Sequence, residues 1–153
     1  MSDAEKIIWG AFGAVGVYVL GQLLSKFFID PLYELRKTIG EVRFNLSFHS
    51  PTINTPIGRS KETSDAASDA LRKSSSDLIA KLDAVPLYFA VRIFSFGTFP
   101  TQKEIESAAV QLRGLSTYVH EEGAKANAHL DVIQKRIKKI KLLLRLRPLE
   151  DEK

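Results

Sequence analysis

IIWGAFGAVGVYVLGQLLS, residues 7 to 25, carries no charged side chain, and the apolar run continues past Lys26 to Ile29. As a helix, residues 7–29 would reach about 35 Å at about 1.5 Å per residue, enough to cross the hydrocarbon layer of a bilayer with some tilt. Trp9 near the start and Lys26 near the end stand where an interfacial ring and a snorkelling cation belong. A buried core helix is the competing reading, but Gly10, Gly13, Gly16 and Gly21 would weaken a helix in water. A cleaved signal peptide would want a more basic head than Lys6 supplies, a shorter apolar core and a small-x-small site before Asp30. The expectation is a transmembrane helix. Gly10, Gly13, Ala14, Val17 and Gly21 fall on one of its faces, where a second helix could approach closely, from another copy or from another membrane protein.

The flanks set an expected orientation. Asp3, Glu5 and Lys6 precede the span, whereas Lys26, Arg36, Lys37 and Arg43 follow it, which places residues 30–153 in the cytoplasm. The chain thus divides into an N-terminal segment with its span (1–29) and a cytoplasmic domain (30–153). A composition of 44% apolar and 26% charged residues is that of a packed domain, not a disordered one. Cysteine is absent, which excludes disulfides, thiolate catalysis and thiolate metal sites.

Asp30-Pro31 reads as a helix start, because Asp can accept from unpaired amides and proline loses nothing at the first helical position. Leu32, Leu35, Ile39, Val42 and Leu46 then recur three or four apart, the narrow stripe of a helix packed at a shallow angle over about residues 31–48. SPTINTPIGRSKETS (50–64) follows as a polar linker. The spacing predicts a second helix over about 64–84, striped by Ala67, Leu71, Ser74, Leu78, Leu82 and Val85. A third, about 102–120, opens on the capping box Thr101-Gln102-Lys103-Glu104 and carries Ile105, Ala108, Leu112, Leu115 and Val119. Gly123 is expected to separate it from a fourth, about 124–146, with Ala126, Leu130, Ile133, Ile137, Ile140 and Leu144 inward. A glycine tolerated inside a helix would instead fuse the last two into one rod over about 60 Å long.

These helices match in length, so the expected architecture is all-α: a transmembrane helix followed by an antiparallel four-helix bundle. That topology returns two segments to the bilayer. The first is VPLYFAVRIFSFGTFP (85–100), with Tyr88, Phe89, Phe94, Phe96 and Phe99 around Arg92. Pro86, Arg92 and Gly97 leave it too broken to span, which suits an interfacial position; capping the bundle core is the competing role. The second is the end of the fourth helix, KKIKLLLRLR (138–147). With Ile137 and Ile140 inward, Lys135, Lys138, Lys139, Leu142 and Leu146 are expected to point outward, with Arg145 beside them.

Basicity is local to that end. Lys135, Arg136, Lys138, Lys139, Lys141, Arg145 and Arg147 supply seven positive charges against a formal net charge of +4, so the rest of the chain is net −3. Leucines among cations suit an anionic lipid leaflet, where each Lys or Arg near the surface is worth about 1 kcal/mol. A nucleic-acid backbone would want hydrogen-bonding or stacking residues beside the cations, and this stretch offers no Ser, Asn, aromatic or Gly loop. A solvated basic face whose leucines meet another subunit is the remaining reading.

FIDPLYELRKTIGEVRFNL, ALRKSSSDL, VPLYF and LRGLS, in that order, resemble a family of uncharacterised small single-pass bacterial membrane proteins with a cytoplasmic helical domain. The likeness covers residues 27 to 116. It implies an inner-membrane anchor and a helical domain, and carries over no activity or site.

No pattern argues for catalysis. His49, His120 and His129 lie at no metal-binding spacing, and there is no P-loop or nucleophile elbow. No catalytic residue, cofactor or metal is expected. The expected function is a membrane-anchored interaction or structural module that meets anionic lipid, another membrane or cytosolic protein, or its own copies. The alternatives are an effector that perturbs the bilayer through residues 85–100 and the basic helix, and a tethered nucleic-acid-binding protein.

Overall fold

A computed structural model describes residues 2–55, 60–94, 97–120 and 128–147, with the backbone alone at Lys6, Ile8, Ala90, Arg92 and Phe94. The described chain is all helix and connecting turns, without a strand. Ser2 caps α1 (Asp3–Leu24): its hydroxyl accepts from the Glu5 amide while the Glu5 carboxylate takes the Ser2 amide, so two otherwise unpaired donors are satisfied together.

α1 runs through a π-helical turn, Ser25–Ile29, directly into α2 (Asp30–Phe48). One continuous helix therefore extends from Asp3 to Phe48, about 70 Å at about 1.5 Å per residue. This corrects the expectation of a fresh start at Asp30-Pro31, since the backbone at Ile29 and Asp30 is helical and no side chain caps it. Pro31 gives the wide turn a physical reason. Its missing amide and its ring would break a regular α-turn against the carbonyl four residues back. The Asp30 amide instead reaches the Ser25 carbonyl, which widens the helix where that clash would fall.

α3 (Ser50–Asn54) is a single turn within the stretch expected to be polar linker, and its Ile53 is fully buried. α4 (Lys61–Asp83) starts ahead of the expected Ser64. Ser60 is the cap, accepting from the Thr63 amide at 3.1 Å, and Ser64 is buried. Such a cap contributes about 1 kcal/mol. α5 (Tyr88–Phe94), α6 (Gln102–Tyr118) and α7 (Leu130–Leu143) follow, and the capping box is present at the start of α6. Gly123 and Ala126 lie outside the described residues. α6 nevertheless ends at Tyr118 and α7 packs against it, so the two helices do not form one rod.

The core is built from the stripes. Leu35, Ile39, Val42 and Leu46 meet Ala67, Leu71, Leu78 and Leu82, which meet Ile105, Ala108, Leu112 and Leu115, which meet Ile133, Ile140 and Leu144. Leu32 and Ile137 are partly buried at its margin. α4 packs against both α2 and α6, and α7 against α6; α3 touches α2, α4 and α7. Among these larger side chains, two serines of α4 bridge directly to the backbone of α6. Ser68 donates to the Ser116 carbonyl at 3.2 Å and Ser75 to the Ala109 carbonyl at 2.8 Å. Between α2 and α4, Asn45 donates to Ser74 at 2.9 Å and Lys81 pairs with Glu34 at 3.3 Å. In each pair, rising positions on one helix meet falling positions on the next.

α7 ends in a Schellman motif. The Leu146 amide bonds to the Lys141 carbonyl at 2.9 Å and the Arg145 amide to the Leu142 carbonyl at 3.2 Å. Arg145 takes the left-handed position of this motif, φ 53°. Glycine usually stands there, and a residue with a Cβ costs about 1 kcal/mol more.

Candidate functional site

α1 buries nothing. Every residue of it whose side chain is described is exposed, including Trp9 at 70% and Val17 at 72%, and it is the one described helix long and apolar enough to cross a membrane. Gly10, Gly13, Ala14, Val17 and Gly21 are all open, and a Cβ built at any of these glycines meets nothing within 4 Å. No other part of the described chain covers this face.

Side-chain contacts define the two ends of the helical body. Lys81 on Glu34 sets the end of α4 beside the beginning of α2, at the end from which α1 emerges. Tyr88, which is buried, donates to the Pro100 carbonyl at 2.8 Å and holds α5 to the start of α6. Arg145 donates to the Gly97 carbonyl and reaches the Glu104 carboxylate at 3.7 Å, bringing the end of α7 to the same place. At the opposite end Gln134 donates to Asn54 at 2.7 Å, His120 meets Asp65 at 3.6 Å and the rings of Tyr118 and His129 pack edge to face. His49 lies at that far end against Phe48, and burial pushes its pKa below the usual imidazole value.

The residues singled out for lipid contact separate into groups. Phe89 is 66% exposed, and Ile93 and Leu87 join it at the surface, whereas Tyr88 and Val91 are buried. Residues 85–91 therefore combine both readings: one face of α5 covers the core and the other is open. Tyr88 belongs to the core face and is corrected accordingly, because its ring closes the core and its hydroxyl is already bonded. Phe96 and the side chains of Arg92 and Phe94 lie outside the described residues. On α7, Lys135, Lys138 and Lys139 are exposed, and Leu142 is 73% exposed. Leu146 does not point outward with it. The Schellman turn swings it back, and it packs against the core. Arg145 is exposed but tied to Gly97 and Glu104.

Two clefts open beside this end. One, of about 830 Å³, lies between α5 and the first turns of α6, lined by Tyr88, Phe89, Ile93 and Lys103 among others. The other, of about 520 Å³, lies between α2 and the chain after α7. It is lined by Arg36 and Arg43 from one side and by Arg145 and Arg147 from the other, with Gly40 between the first two. No protein-family model, curated protein or solved structure matches the chain.

In the sequence Arg36 and Arg43 serve only to orient the span, and Arg147 only as one of the seven cations near the C-terminus; the separation of Arg36 and Arg43 by seven positions is the sole local signal that they share one side of α2. Nothing in the sequence announces which distant cations they meet. Among the described residues, no three His, Asp or Glu side chains are grouped to hold a metal.

Proposed function

We propose that this chain is a single-pass inner-membrane protein of a bacterium, with α1 and the π-turn in the bilayer and residues 30–153 in the cytoplasm as a four-helix bundle without catalytic activity. The bundle acts as an interaction or structural module held against the anionic leaflet. The observation that carries this reading is the unbroken helix from Asp3 to Phe48. Its first part buries nothing, and its second part supplies Leu35, Ile39, Val42 and Leu46 to the core. A protein in water does not ordinarily leave so large an apolar surface uncovered, and a helix shared by span and domain holds the domain at a fixed height instead of on a loose tether. The opposed contacts of α2 with α4, α4 with α6 and α6 with α7 support antiparallel packing. In this reading Phe89, Leu142 and the exposed cationic side chains of the α7 end are the surface that meets the lipid.

The test is fractionation of the full chain with a reporter at its C-terminus. Retention in membranes through alkaline carbonate and high salt, with the reporter active only inside the cell, is the expected result. Release by carbonate, or a reporter active only outside, overturns the placement.

The open face of α5, with Leu87, Phe89 and Ile93 exposed at this end, favours one second reading: an effector that disturbs the bilayer. Overexpression that collapses the membrane potential, and no longer does so with Phe89→Ser and Ile93→Ser, would establish the effector in place of the module.

A further inference from the structure

The cleft between α2 and the end of α7 gathers four arginines and, among the described residues that line it, no carboxylate. We propose that it is a binding site for a phosphate group, the headgroup phosphate of an anionic phospholipid; this source of the phosphate rests on the membrane placement above.

Arg36 and Arg43 stand two helical turns apart on one side of α2. Gly40, between them, leaves the floor open: a Cβ built there meets nothing within 4 Å. Arg145 and Arg147 enter from the chain beyond α7, and Thr98 completes the rim. Arg36, Arg43 and Arg147 form no ion pair among the described residues. With Arg145 already beside Glu104, the three other like charges around one space repel one another unless an anion enters it. Guanidinium groups are suited to that anion, since their planar forks grip two phosphate oxygens at once.

Arg145 adds an independent indication. It occupies a backbone position that favours glycine, and its side chain is steadied by the Gly97 carbonyl and the Glu104 carboxylate. Residues held in such conformations cluster at ligand-binding sites.

One feature favours lipid over a soluble phosphate. Part of the wall is apolar, made by Phe99, Leu144 and Leu146, which suits the glycerol ester region behind a headgroup. A cleft of about 520 Å³ is of ligand-binding size.

The full chain in phosphatidylcholine nanodiscs is the reference sample. In one arm phosphatidylglycerol is included in the disc, and lipid retained by the released protein is counted by native mass spectrometry. In the other, inorganic phosphate is titrated onto the phosphatidylcholine sample and followed by NMR of the arginine side chains. The expected result is selective retention of phosphatidylglycerol that falls roughly tenfold or more in Arg36→Ala with Arg43→Ala. Gly40→Glu should reproduce the loss by placing a carboxylate inside the cleft. Arg145→Gly should weaken retention while keeping the fold, because glycine takes that backbone position without strain. Arg72→Ala with Lys73→Ala, exposed cations of α4 that do not line the cleft, should leave retention unchanged, which separates the cleft from a simple loss of positive charge.

Binding of inorganic phosphate alone, lost in the same cleft variants, would retain the phosphate site and transfer it to a soluble ligand. No binding in either arm, or binding indifferent to the Arg36, Arg43 and Gly40 changes, overturns the proposal. If the chain fails to enter nanodiscs at all, the membrane placement falls, and titrating phosphate onto the protein in buffer still decides the site.

Discussion

The Ser75 hydroxyl donates to the Ala109 carbonyl at 2.8 Å across the contact between α4 and α6, with both residues buried. The bond exists because the two helices present small side chains to each other at this level, so a serine reaches the neighbouring backbone directly. Enlarging the residue should therefore cost more than deleting the bond. Ser75→Leu is expected to destabilise the fold by about 1–3 kcal/mol through overpacking. Ser75→Ala should cost about 1 kcal/mol or less, since the Ala109 carbonyl keeps its own helical amide. Chemical denaturation of the full chain in mild detergent, followed by circular dichroism, checks the order.

Arg136 and Gly114 make a second linked pair. The guanidinium lies over Gly114, where an added Cβ would stand 2.5 Å from Nη1. It donates to Gln111 at 2.8 Å and faces the Tyr118 ring at 5.5 Å. Arg136→Ala is expected to cost about 1–3 kcal/mol from the charged hydrogen bond and the ring contact. Arg136→Lys should recover only part of it, having one point charge in place of a fork. The same denaturation measurement reads both.

Pro31 is the reason given above for the π-turn. Pro31→Ala restores an amide and removes the ring, so the turn at Ser25–Ile29 should close to a regular α-turn. Slower amide exchange around residues 27–31 is the expected outcome by NMR in micelles. Unchanged exchange would mean that the turn is held by something other than the proline.

His49 should leave a pH signature. Burial lowers its folded pKa, whereas the unfolded chain takes up the proton near about pH 6.5. The unfolded state thus binds the proton first, and stability present above about pH 6.5 is lost as the pH falls below it. His49→Gln is expected to flatten this decline between about pH 6.5 and 5 relative to the unaltered chain. Paired denaturation curves across that window test the difference.

The helical core was legible because burial on one side of a helix is written into the spacing of its own residues. Ala67, Ser74 and Val85 could be placed inward from their register alone, and all three are buried. The same rule misplaced Leu146, because the Schellman turn at Arg145 breaks the register just before it. It also missed Ile53, a single apolar side chain among turn-forming residues with no repeat to mark it. A start signal at Asp30-Pro31 was overridden for a different reason: a wide turn can absorb a proline and let the helix continue.

From the amino acids alone one obtains the uncharged stretch before Ile29, the stripes of the later helices and the cationic character of the chain's end, because each depends on neighbours within a few turns. The meeting of Arg36 and Arg43 with Arg145 and Arg147 around one cleft, the half-buried face of α5, and the burial of Tyr88 against Pro100 came only with the folded molecule. They depend on how separate helices pack, and residues far apart in the chain acquire a common chemistry only when that packing brings their helix ends to the same place.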